Sequence, residues 1–94
     1  MSGEIKFDEG KMRYAIDHMR REAKELRNTV QATQGLAGLI EKGALVGEAG
    51  TQFQTTIKST LNPKIEEIAA KIEEQARFME VELEQLLKAA SKLR

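Results

Sequence analysis

A chain of 94 residues has room for one domain only, and so short a chain buries a modest share of its surface alone, which makes partner helices a natural way to complete its core. Hydrophobic residues make up 40% and aromatics 4%, with one Pro and no Trp, and the wealth of Ala, Leu, Ile, Glu, Lys and Arg predicts an all-α fold. The 15 basic and 15 acidic side chains cancel, which argues against a nucleic-acid partner, and the absence of cysteine excludes disulfides, thiolate metal sites and thiol catalysis.

The chain starts Met-Ser-Gly-Glu-Ile-Lys-Phe-Asp, without the basic start, apolar stretch and small-residue cleavage site of a signal peptide, so any export is expected to bypass the general secretory route. No apolar run approaches the length of a membrane span. A first helix is expected over about 8–42. Its apolar positions Ile16, Met19, Ala23, Leu26, Val30, Thr33, Ala37 and Ile40 step by three and four, a heptad seam with one polar member. Asp8 is the expected N-cap, with Glu9 in the first turn. Gly43, Gly47 and Gly50 then break the pattern, which places a turn at about 43–47.

The second helix is expected over about 48–92. Phe53, Ile57, Leu61, Ile65, Ile68, Ile72, Ala76, Met79, Leu83, Leu86, Ala90 and Leu93 carry its spacing. Several successive steps of four predict a seam that drifts around the helix. Pro63 removes a backbone donor and is expected to kink a continuous helix. A short turn between two long helices predicts an antiparallel hairpin, a single domain over 1–94. Lys11, Arg13, Arg20, Arg21, Lys24 and Arg27 would then lie beside Glu66, Glu67, Glu73, Glu74, Glu80, Glu82 and Glu84, where opposite charges help to set register. Leu36, Leu39, Ile40, Leu86 and Leu87 exceed any single narrow seam, so the hairpin is expected to associate into a four-helix bundle, as a homodimer or with a paralogous hairpin.

At the turn the chain reads Leu45-Val46-Gly47-Glu48-Ala49-Gly50-Thr51-Gln52-Phe53. This resembles the hallmark of the WXG-type (ESAT-like) family of small proteins exported by type VII secretion systems: Trp-x-Gly in a hairpin turn, a small residue two positions later, an aromatic six after the Gly. Gly47, Ala49 and Phe53 match, and Leu45 stands where the family has Trp. Leu61-Asn62-Pro63-Lys64-Ile65 is also similar to a mid-helix stretch of several members, and the likeness spans essentially the whole chain. The family's export motif, Tyr-x-x-x-Asp/Glu on the C-terminal helix, is approached by Phe78-Met79-Glu80-Val81-Glu82, with Phe78 for Tyr and Glu82 as the acid. Residues four apart share a helix face, so the pair would present one compact epitope.

The resemblance implies a secreted or cell-surface protein without a cleaved signal peptide, acting through helical association and recognised by the membrane-bound ATPase of the secretion system. Two other readings remain open: a cytosolic targeting partner of an LXG-type toxin, and a generic coiled-coil adaptor. No enzyme activity, cofactor, metal site or small-molecule substrate is expected. His18 is the one histidine and reads as a surface or bundle-edge residue. Ser59, Thr55, Thr56 and Thr60 have no evident base, and the glycines lack the Gly-Lys-Ser/Thr ending of a phosphate loop.

Overall fold

The computed structural model of the chain describes residues 6–44 and 47–92. Two long helical arms fold into an antiparallel hairpin, and every regular element among the described residues is helical. The first arm is α1 (Glu9–Leu39), extended by a wide turn over Ile40–Ala44. The second arm is α2 (Glu48–Thr56), a π turn over Ile57–Leu61, and α3 (Asn62–Lys92).

Each end of these elements has a local cause. Asp8 is extended, and its carboxylate accepts a hydrogen bond from the Lys11 amide at 2.9 Å, satisfying one of the free donors of the first turn. Glu9 adds a negative charge at the positive end of the helix. At the far end Gly43 has φ +100° and Gly47 has φ +91° with ψ −166°, conformations that a Cβ penalises. These two glycines bracket the reversal; Leu45 and Val46 lie outside the described residues.

The second arm passes through Pro63 without ending, because the disturbance is absorbed one turn earlier. The Asn62 amide bonds to the Ile57 carbonyl, five residues back. Pro63 offers no amide, and its ring would press on the carbonyl four residues before it, that of Ser59. The wide turn over Ile57–Leu61 opens the ladder there while the backbone stays helical at Asn62 (φ −63°, ψ −46°).

Packing follows a strict seven-residue step. Ile16, Ala23, Val30 and Ala37 of α1 are buried against Asn62, Ala69, Ala76 and Leu83 of α3. Residues seven apart return to within about 20° of one face. The four alanines of this seam are completely buried, and such small side chains let the two axes come close. Asn62 is the buried polar member. The Thr33 hydroxyl lies 2.5 Å from its Oδ1 and 2.9 Å from the Val30 carbonyl, donating to one at a time.

The seam expected from apolar spacing is corrected in the second arm. Phe53, Leu61 and Ile68 are exposed, whereas Asn62 and Ala69 are buried. The cause is the π turn. Gly50 and Ile57 are buried seven apart, the step from Ile57 to Asn62 is five, and sevens resume through Ala69, Ala76 and Leu83. One extra residue in the wide turn resets the phase, so the seam does not drift as an unbroken α-helix would require.

The hairpin measures 70 × 18 × 13 Å, one helix thick in its shortest dimension. Among the described residues, no large side chain is fully buried. One hairpin supplies a seam, not an enclosed core.

Candidate association face

The rows on either side of the seam differ in chemistry. The row four residues after each seam position carries Arg20 and Arg27 in α1 and Glu66, Glu73 and Glu80 in α3. These meet across the hairpin: Arg20 pairs with Glu80 at 2.5 Å, and Arg27 with Glu73 at 2.5 Å and Glu66 at 3.3 Å. Hydrogen bonds from the guanidinium groups hold the Glu73 and Glu80 carboxyls below the usual carboxylate range, and the same bonds raise Arg20 and Arg27. Nearer the turn, Glu41 Oε1 accepts from Gln54 Nε2 at 2.6 Å and Lys58 Nζ at 2.7 Å, and the Lys58 bond lowers the Glu41 pKa. This flank ties the second arm to the first.

The row three residues after each seam position lies on the opposite flank and is apolar except at Thr33. Met12, Met19 and Leu26 in α1 and Ile65, Ile72, Met79 and Leu86 in α3 are half-buried. Next to them stand Leu36 and Ile68, each one residue before a seam alanine, at 44% and 46% exposure. Phe53 and Leu61 continue the flank towards the turn, and both are exposed. Between the arms this flank opens into a groove lined by Met19, Ile68 and Ile72, with His18, Glu22 and Lys71 beside them. His18 is exposed; its ring stacks on Tyr14 with centroids 6.0 Å apart, and its Nε2 lies 3.9 Å from Glu22.

Apolar strips of this kind occur at protein–protein and membrane contacts and in ligand grooves. The accessible area is large, as expected of an extended hairpin of this length. The chain exposes 7151 Å², about 1,700 Å² more than the ~5,400 Å² of a compact monomer of its size. A standard interface covers about 800 Å² per partner.

The residues singled out by motif sit at two separate places. Gly47 caps α2, Ala49 is exposed in its first turn, and Phe53 is exposed one turn further on; Leu45 lies outside the described residues. Phe78 and Glu82 lie on α3 towards the open end, flanking the level at which Glu80 meets Arg20. Phe78 is 58% exposed, and Glu82 is exposed one turn beyond it on the same face. The turn motif and this pair are not brought together.

Reasoning from the sequence missed the Asn62–Thr33 pair and the flank to which each apolar residue belongs. The signal for the flanks was present: the arginines and glutamates four residues beyond the seam mark the paired side, and the residues three beyond it mark the open side. Among the described residues no helix is long and apolar enough to cross a membrane, and no group of three or more His, Asp or Glu side chains is placed to hold a metal ion. No family model, curated protein or solved structure matches the chain.

Proposed function

We propose that this protein is a non-catalytic association module, whose hairpin pairs with a second copy through the apolar flank to form a four-helix bundle. One observation carries the reading: a strip of half-buried and exposed apolar side chains runs along one flank while the other is closed by Arg–Glu pairs. Burying the strip removes apolar area from water at about 25 cal/mol per Å², and a closed two-fold pair is the simplest assembly that hides it.

We further propose, on the resemblance of the turn and of Phe78–Glu82, that the bundle is cargo of a type VII secretion system and leaves the cell without a cleaved signal peptide. In this reading Phe78 and Glu82 form the epitope read by the secretion ATPase. Both side chains are exposed on α3 in the single hairpin, as such a role requires. Leu45 and Gly47 shape the turn, and Ala49 and Phe53 continue it into α2.

Export from the native host with and without the ATPase, with a cytosolic marker as lysis control, tests the secretion half. Appearance in the medium only with the ATPase supports it, and Phe78→Ala and Glu82→Ala should each abolish export while leaving helicity unchanged. Retention in both strains would replace it with a cytosolic role, for which capture of a larger helical toxin domain would be the positive sign.

A further inference from the structure

The second arm is held to the first in two unlike ways. Between α1 and α3 large apolar side chains reinforce the seam: Ile16 and Leu83 pack with Phe7, Met12, Met79 and Leu87 towards the open end. Close backbone approaches between the arms are concentrated along these two helices, and Arg20 and Arg27 add their pairs with glutamate. On the turn side of Asn62 the hold is thinner. The seam residue of α2 is Gly50, which has no side chain to contribute. Phe53 and Leu61 are exposed, so Ile57 is the one large buried apolar side chain between Gly47 and Asn62. The remaining ties, from Gln54 and Lys58 to Glu41, lie at the surface, where such contacts contribute little.

The same stretch is bounded by two weak points in the backbone. Gly43 and Gly47, both at positive φ, stand at one end. At the other, Pro63 supplies no amide to the Ser59 carbonyl, and the ladder is already widened over Ile57–Leu61. Helices bend at such sites. We propose that residues 47–61, α2 with the wide turn that follows it, form a strap that releases from α1 as one piece, pivoting beside Pro63, while α1 and α3 stay paired. Local opening draws on the least stable part of a structure, and a helix of nine residues has little stability of its own once undocked.

The release has a defined consequence. Thr33 meets Asn62, and Glu41 meets Lys58 and Gln54, so Ala37 and Ile40 lie at the level of the strap. Both are buried while it is docked. Lifting it uncovers them beside Leu36, which is exposed already, and lengthens the apolar stretch of α1. The inference concerns a single hairpin and needs neither self-association nor export.

The chain has no cysteine, so one buried alanine at a time can be made to report on its cover. Ala37→Cys probes the strap. Ala23→Cys, between Arg20 and Arg27 on the same seam, probes the pairing of α1 with α3, and both alanines are completely buried. A thiol reagent reacts with either site only while it is uncovered, at a rate set by the population of the open form. Ala37→Cys should react at least about 100-fold faster than Ala23→Cys. Its rate should rise only weakly with urea below the unfolding transition, because release exposes little surface. Equal rates with equal urea dependence would overturn the proposal, since both thiols would then be waiting for global unfolding. Hydrogen exchange of the unsubstituted chain decides the matter if either cysteine disturbs folding. Amides of α2 that exchange through one shared opening, easier than the opening of mid-α3, support the strap, and protection equal to that of mid-α3 overturns it.

Discussion

The two flanks of the hairpin are built from the same heptad and do opposite things. On one, Arg20 and Arg27 reach Glu80, Glu73 and Glu66, and the chain satisfies itself. On the other, Met19, Ile68, Ile72 and their neighbours remain partly in water, and the chain alone cannot cover them. Exposed ion pairs contribute little to stability, but they penalise slippage, because a shift along the seam separates every pair at once. The apolar flank has the opposite character: strong in area and weak in register. The charged flank thus selects the intramolecular partner, and in the proposed bundle the apolar flank would supply the drive for an intermolecular one.

The sharpest way to break this division is to place a charge on the open flank. Ile68→Glu should leave helicity intact and weaken self-association by about 100-fold or more, since the new carboxylate must be stripped of water inside the interface. Sedimentation equilibrium reads the change; an unaltered association constant would show that this flank is not the contact. The seam should respond in a different observable. Ala76 is completely buried opposite α1, and Ala76→Leu forces the arms apart, so urea unfolding should show a loss of about 1–3 kcal/mol. An undisturbed midpoint would mean that the arms are not closely packed there.

Much of this architecture is legible in the sequence because helix, cap and turn signals are local. Asp8 before Glu9, the seven-residue step of Ile16, Ala23, Val30 and Ala37, and the glycines at 43 and 47 act within a few residues of themselves. The phase of the second arm was hidden because it depends on a hydrogen bond from Asn62 to Ile57, which no spacing of apolar residues encodes. Leu61 and Ile68 look like seam residues only to a reader who assumes an unbroken α-helix. Asn62 was passed over because it is polar, although a polar residue at one seam position is how paired helices fix register at a cost in stability. The apolar flank was visible as an excess of leucine and isoleucine beyond a narrow seam, but assigning residues to it required that corrected phase.

Asn62 therefore offers a finer probe of the comparison. Asn62→Leu replaces a buried polar group with an apolar one, a change that is often neutral or stabilising. The unfolding midpoint should be at or above that of the parent chain, while the intrachain distance between nitroxides on Gln31→Cys and Lys64→Cys, both exposed, broadens as more than one register becomes populated. A single sharp distance in this variant would return the whole task of register to the Arg–Glu flank.

The smallest effect expected is the response of that flank to acid, and its sign follows from the pairing. Glu41, Glu73 and Glu80 have folded-state pKa values below their ordinary ones, in each case chiefly through a hydrogen bond from Lys58, Arg27 or Arg20. A carboxylate lowered on folding contributes stability that is fully present above its unfolded value, about 4.3 for Glu, and loses it as pH falls through the folded value. Arg20 and Arg27 are raised, and their contribution is constant anywhere below the arginine range. The thermal midpoint should therefore be flat in this respect from pH 7 to about pH 5 and decline below about pH 4.3. These groups are exposed and their pairs are screened, so the decline should be shallow, and shallower still in about 1 M salt, where the screening length is about 3 Å. Arg27→Gln removes the partner of both Glu73 and Glu66 and should flatten the acid limb further without changing self-association at pH 7. Loss of association in that variant would mean that the paired flank, and not the apolar one, meets the partner.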